Sequence, residues 1–262
     1  MADKPDVAIE LVKVTTAFGP VVVHEELDLA VMRGETLALV GGSGSGKTTL
    51  LRVMIMLQQP AAGSVNILGE NTLTVSDKEA NRLRRNIGVM FQQGALFSGL
   101  TVAENVEMPM KEHTGLPAWI RNNLAMLKIA LAGLPFEAGA KYPRELSGGM
   151  LKRAAVARAL ALDPALLFLD EPSAGLDPVS ANALDELIIH LKESLGLTIV
   201  IVTHDLDTLW RVTDRVAFLG EKRVLAVDTL QALIEHPHPM IHAYFAGPRG
   251  RAAAKEHLWT QK

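Results

Sequence analysis

The first third of the chain alternates between apolar and polar positions in a way that predicts β-strands. Val7 to Val14 and Val21 to Val31 read as two strands, separated by the turn residues Gly19 and Pro20. Gly34 then turns into a third apolar run over Glu35–Val40, and helix-like residues follow from Leu50 to Leu57. The breaker Gln59-Pro60-Ala61-Ala62-Gly63 comes next, and Ser64 to Leu68 reads as another strand. Ser76 is placed to cap a short helix with Glu79 at its third position; that helix runs to about Arg85, and Ile87 to Phe91 returns to strand. From about residue 93 to 162 the pattern becomes helical with no intervening strand. Pro117 starts one of these helices, and Ile120, Leu124, Leu127 and Leu131 recur at helical spacing as its expected core face. Strand and helix then alternate again. Ala165–Leu169 and Leu197–Thr203 are strands, and between them a helix over Val179–Leu195 starts at Pro178, ends at Gly196, and carries Leu184, Leu187, Ile188, Leu191 and Leu195 on one face. Short, wholly apolar strands separated by helices predict an α/β protein with a mainly parallel sheet core. The early strands form an antiparallel β subdomain, and residues 93–162 an inserted helical subdomain. One domain is expected over residues 1–246, followed by a frayed tail over 247–262.

Composition changes this picture little. At 262 residues and 48% hydrophobic, the chain can bury one large core with subdomains. A net charge of −3 opposes a role in coating nucleic acid. The lack of cysteine excludes disulfides and Cys-ligated zinc. Met1 to Glu10 has no apolar core, so no signal peptide is expected there, and no apolar run approaches the roughly 18 residues of a membrane span. Any membrane role is therefore expected to act through a partner.

The first chemistry lies between the third strand and its helix, in Gly41-Gly42-Ser43-Gly44-Ser45-Gly46-Lys47-Thr48-Thr49. This is a G-x-x-x-x-G-K-[ST] phosphate loop in the strand–loop–helix setting it requires. Its glycines let successive backbone N–H groups converge on one anion, and the following helix points its positive end at the same place. Lys47 is placed to reach the β- and γ-phosphates of ATP, and the Thr48 hydroxyl to ligate Mg²⁺. Downstream, the apolar strand Leu166-Leu167-Phe168-Leu169 ends in Asp170 and Glu171. After a phosphate loop, such a pair has a defined use. Asp170 holds the Mg²⁺, and Glu171 orients and deprotonates the attacking water. A second helix N-terminus rich in small residues, Leu146-Ser147-Gly148-Gly149-Met150-Leu151-Lys152-Arg153, offers another anion site.

Taken together, residues 7–230 resemble the ABC ATPases, with the P-loop NTPase fold of that family. The resemblance implies a head-to-tail dimer of two copies, in which Ser147, Gly148, Gly149 and Asp177 of one chain complete the ATP site of the other. It also implies that Phe18 stacks on adenine. Gln92, in Phe91-Gln92-Gln93, senses Mg²⁺ and the γ-phosphate, with Gln93 as its rival for that role. His204, after the last strand, contacts the γ-phosphate. The catalytic set is then Glu171, His204, Gln92 and Lys47, and the Mg²⁺ ligands are Thr48, Gln92 and Asp170.

Met150 departs from the glutamine usual in family signatures, which leaves any ribose contact from that position open. With Gln93-Gly94-Ala95-Leu96-Phe97, Glu112-His113-Thr114-Gly115-Leu116-Pro117 and the segment Pro239 to Phe245, it makes the chain similar to the Mla/Mce lipid-transport ATPases. That similarity implies integral membrane permease subunits, an MCE-type lipid-binding subunit and a small accessory cytoplasmic subunit as partners, with the chain peripheral on the cytoplasmic face of the inner membrane. The alternatives are an ABC importer ATPase for another cargo such as amino acids, or a soluble ABC protein acting on DNA or ribosomes. The absence of cysteine and the 100-residue span from Lys47 to Ser147 weigh against the second. His236, His238 and His242 read as a solvated segment rather than a metal tract, and Arg82, Arg84 and Arg85 as a solvated helix end.

Overall fold

The structure, a computed structural model, describes residues 6–92 and 94–245. The described residues divide into two compact units, one containing residues 6–75 and 201–245, the other Ser76–Val200.

In the first unit, β1 (Val7–Phe18) and β2 (Val21–Met32) form a hairpin in which Phe18 pairs with Val21. Gly19, at φ 55°, supplies the positive φ that a two-residue hairpin loop needs. β3 (Thr36–Gly41) is buried along its whole length and leads into α1 (Lys47–Met54). β4 (Ala62–Ile67) flanks β1 on its other side, and the two-residue β5 (Glu70–Asn71) completes an antiparallel sheet in the order β2-β1-β4-β5. The expected breaker therefore ends earlier than its glycine. Gly63 lies inside β4 at φ 91°, where a side chain would strike the backbone of Val12 and Lys13.

The second unit opens with α2 (Asp77–Arg85) and a full capping box: Ser76 Oγ accepts from the Glu79 N–H, and Glu79 Oε2 accepts from the Ser76 N–H at 2.8 Å. β6 (Ile87–Met90) follows, and then the helical stretch: α3 (Val102–His113), α4 (Ala118–Leu131), short 3₁₀ turns at Phe136–Ala140 and Pro143–Glu145, and α5 (Gly148–Ala159). β7 (Leu166–Asp170) pairs in parallel with β6, and α6 (Pro178–Leu195) has Pro178 at its start and Gly196 in the left-handed conformation at its end.

Two expected helix faces are corrected. In α4 the buried side chains are Ala125, Lys128 and Ile129, whereas Leu127 is half exposed. Ala125 lets this face lie close to its neighbours, and the apolar stem of Lys128 fills it while the ammonium pairs with Asp163. In α6, Leu184, Leu187, Ile188 and Leu191 are buried, but the terminal Leu195 is exposed.

β8 (Thr198–Val202) carries the chain across the boundary at residue 200. Back in the first unit, the chain forms α7 (Leu206–Val212), β9 (Arg215–Gly220), β10 (Arg223–Asp228), α8 (Leu230–Ile234) and α9 (Pro239–Phe245). β3 pairs in parallel with β9, which pairs antiparallel with β10. The fold is thus α/β with a mixed sheet and a separate antiparallel sheet. Among the described residues, no helix is long and apolar enough to cross a membrane. The expected tail at 247–262 lies outside the described residues.

Candidate nucleotide site

The phosphate loop lies in the first unit, between the buried end of β3 and α1. Gly41, Gly44 and Gly46 take φ values of 148°, 78° and 92°, the last two in the left-handed region that glycine tolerates. A side chain on Gly41 would collide with the Leu219 carbonyl of β9, its register partner, and approach Ser45 Oγ at 2.9 Å. The Ser45 N–H donates to the Gly42 carbonyl at 3.2 Å and closes the turn. Gly46 caps α1 with no side-chain hydrogen bond, so the first-turn N–H groups of that helix have no side-chain acceptor at the cap. That arrangement, together with a cradle too tight for any Cβ at Gly41 and Gly46, fits a phosphate group. Lys47 folds back over the loop, its Nζ donating to the carbonyls of Gly41 and Gly42 at 2.8 and 3.0 Å. Gly42, Ser43 and Gly44 are exposed, Thr48 is exposed, and Thr49 is buried in α1. In the same unit, Phe18 is 51% exposed at the hairpin end, open to stacking. His204 is exposed just beyond β8, in a turn where the Asp205 N–H donates to the buried Thr203 hydroxyl at 3.1 Å.

The second unit holds the remaining residues. Asp170 ends β7 and Glu171 follows at φ 48°, a left-handed conformation unusual for glutamate. Gln92 is exposed in the loop after β6, and its rival Gln93 lies outside the described residues. The structure brings Gln92 and Glu171 to one point. Lys152 of α5, only 7% exposed, donates from Nζ to the Gln92 carbonyl at 2.7 Å and to the Glu171 carbonyl at 3.1 Å. Burial lowers the Lys152 pKa, and the carboxylates of Glu171 and Asp170 work against that shift.

At the other end of α5, Ser147 is the cap residue, and its Oγ accepts from the Met150 N–H at 3.3 Å. Gly148 and Gly149 form the first turn of α5, close to Leu176 and Ser180 respectively. Asp177 caps α6 by accepting from the Ser180 N–H at 3.0 Å; bonds from the Ser180 side chain and backbone hold its pKa below the ordinary value. Asp177 is thus a helix cap within its own chain as well as a candidate cross-dimer contact.

Two residues escape a reading of the sequence. His24 is completely buried beneath the phosphate loop, its Nδ1 2.8 Å from Thr16 Oγ1, and a methyl on Gly46 would drive into its ring. Burial lowers the pKa of His24, an effect partly offset by the Ser45 backbone. Its inward placement is hidden because strict alternation from Leu27, Leu29 and Val31 points residue 24 outward. A bulge at Glu26, φ 45°, reverses the phase. Lys152 does leave a signal: it shares the i, i+3, i+4, i+7 stripe of Ala155, Val156 and Ala159, all buried.

Residues 24–174 match the family described as ABC transporter. The chain is 37% identical over 227 residues to the intermembrane phospholipid transport system ATP-binding protein MlaF of Haemophilus influenzae, covering 87% of this chain and 86% of that one. It is 37% identical over 243 residues to the probable ribonucleotide transport ATP-binding protein mkl of Mycobacterium tuberculosis, covering 93% of this chain and 67% of that one. Among solved structures, a bacterial ABC transporter cassette determined as a dimer matches with a TM-score of 0.77 at 32% identity, over 85% of this chain and 98% of that one. The same cassette has been solved as a dimer in a post-hydrolysis state bound to ADP and Pi.

Proposed function

This chain belongs to the ABC transporter family, and we propose that it is the ATP-hydrolysing subunit of a transporter that moves phospholipid or other lipid between membranes. The observation that carries the lipid reading is the likeness to MlaF, which runs over most of both chains and is named for intermembrane phospholipid transport. Met150 in the signature and the segment Gln93–Phe97 support it. The likeness to mkl favours a second cargo, ribonucleotides, which the experiment below separates.

We assign the site residues as follows. The N–H groups of Gly41 to Thr49 and the Lys47 ammonium bind the phosphates, and Phe18 stacks on the adenine. Thr48, Gln92 and Asp170 offer the hard oxygen donors that Mg²⁺ selects, and that ion when bound neutralises phosphate charge. Glu171 takes the proton of the attacking water, and His204 steadies the γ-phosphate. Ser147, Gly148, Gly149 and Asp177 act on the ATP of a second copy, a role supported by the dimeric form of the related cassette. Two anion sites at helix starts in one chain, one at α1 and one at α5, fit a division of labour in which each copy completes the other.

A permease docks in our reading at a cleft of about 380 Å³ in the second unit, lined by Val89, Phe91, Phe97, Met108, Glu112 and Arg158. Its lining combines apolar side chains with Glu112 and Arg158, which suits a short amphipathic helix. The buried Asn105 side chain holds the segment beside it, accepting from the Phe97 N–H and donating to the carbonyls of Phe97, Leu100 and Thr101. The chain then works from the cytoplasmic face of the inner membrane, with an MCE-type lipid-binding subunit and a small accessory subunit in the same complex. Isolation from native membranes in mild detergent tests this. Recovery of a permease, an MCE-type subunit and bound phospholipid is expected. A periplasmic solute-binding protein in their place, or bound ribonucleotide instead of phospholipid, overturns the lipid reading, and the absence of any integral membrane subunit overturns the transporter reading.

A further inference from the structure

We propose that Lys152 is a positioning residue for ATP hydrolysis, tying the signature helix to the backbone of both Gln92 and Glu171. The inference rests on the reading of Glu171 as the base. Three observations carry it. First, the lysine lies on the buried stripe of α5, where a cation is out of place unless its donors are used. Second, both bonds end on reactive-loop carbonyls: Gln92 O at 2.7 Å and Glu171 O at 3.1 Å. Third, Glu171 holds a left-handed conformation at φ 48° that needs outside support, and its carbonyl takes a further bond from the Ala174 N–H at 3.3 Å.

The mechanical consequence follows from the helix. Ser147, proposed to meet the ATP of a second copy, caps α5 five residues before Lys152, about 7.5 Å along a rigid helix. Arg153, the next residue, donates to the carbonyls of Ala132 at 3.2 Å and Ala183 at 3.0 Å, anchoring α5 beyond α4 and against α6. Any shift of the signature end is therefore handed through Lys152 to the backbone that aims the Gln92 and Glu171 side chains. A lysine suits this place because one nitrogen carries three donors and can bridge two carbonyls from different loops. Its charge also lies near the carboxylates of Asp170 and Glu171, which lowers the cost of burying it.

The test compares Lys152→Met, Lys152→Gln and Lys152→Arg in the full chain, with kcat and KM for Mg-ATP, Kd for a fluorescent ATP analogue, and Tm. The methionine variant is expected to lose at least about tenfold in kcat, with Kd within about twofold, since the phosphate loop is untouched. Lys152→Arg, which keeps charge and donors, is expected to recover kcat to within a few-fold, and Lys152→Gln to fall between. A methionine variant with wild-type kcat overturns the proposal, as does one whose kcat and Kd fall together in step with Tm. If Lys152→Met does not fold, the same split is read on Lys152→Gln, and a wild-type kcat there overturns it. Glu171→Gln is assayed in parallel. If that variant keeps wild-type turnover, the base assignment fails on its own, separately from the result at Lys152.

Discussion

Replacing Gly46 by alanine should cripple nucleotide binding through a collision that can be relieved from the other side. Gly46 holds φ 92° at the junction of the phosphate loop and α1. An added methyl would lie 2.7 Å from His24 Cε1 and 2.7 Å from Val23 Cγ1, both on a strand pinned by its pairing with β1. A left-handed backbone costs a non-glycine residue about 1–2 kcal/mol, and overfilling a closed site costs about 1–3 kcal/mol. The loop must therefore absorb about 2–5 kcal/mol. Lifting residues 45–47 is the easiest relaxation, and it misaims the N–H groups of the first turn of α1. If the whole cost falls on the bound state, ATP affinity drops by about 30-fold to a few thousand-fold. A fluorescent ATP analogue titrated against wild type, Gly46→Ala, His24→Ala and the double variant gives a complete cycle. Removing the ring should return the His24 share of the collision, at least a few-fold in affinity, but neither the Val23 contact nor the backbone part. Gly46→Ala binding within threefold of wild type would rule out a collision at this site, as would a double variant no better than Gly46→Ala.

Lys47→Ala should weaken ATP binding by about 10- to 100-fold or more, since charge-assisted bonds contribute about 1.5–3 kcal/mol each; the same titration checks it. His24 is held neutral by burial, so below about pH 6.5 the unfolded chain binds a proton that the folded chain resists. Stability should then fall as pH drops, by at most about 1.4 kcal/mol per pH unit from this group. Urea midpoints at pH 7.5 and 5.5 should show a shallower loss for His24→Leu than for wild type, and equal losses would contradict the assignment. Asn105→Ala removes four part-buried side-chain bonds, leaving the Phe97 N–H and the Leu100 carbonyl without that partner while the Phe97 and Thr101 carbonyls keep backbone donors, and should cost about 1–3 kcal/mol in chemical denaturation.

Features set by local backbone chemistry could be read directly from the sequence. The Gly19-Pro20 hairpin, the Ser76–Glu79 capping box and the Pro178 and Gly196 ends of α6 all follow from the residue types that those conformations demand. The phosphate loop was legible for the same reason, because its φ values require glycine. Features that depend on long-range contacts were not. One bulge residue, Glu26, decides that His24 faces the phosphate loop, and pattern reading assumes the alternation that it breaks. The buried face of α4 is built of Ala125, Ile129 and a lysine stem rather than the leucines its spacing advertised, because Asp163 receives the ammonium from a distant loop. Beyond Thr203, α7, α8 and α9 are five to seven residues long, too short for helical periodicity to appear.

In the proposed mechanism each chain carries half of an ATP site and a second copy completes it. Light scattering on Glu171→Gln with and without Mg-ATP tests this most directly, because slowed hydrolysis traps the closed state. The expected result is a shift from the 28.3 kDa chain to twice that mass on adding ATP, lost again with Lys47→Ala. A Glu171→Gln chain that binds ATP and remains at 28.3 kDa would contradict it.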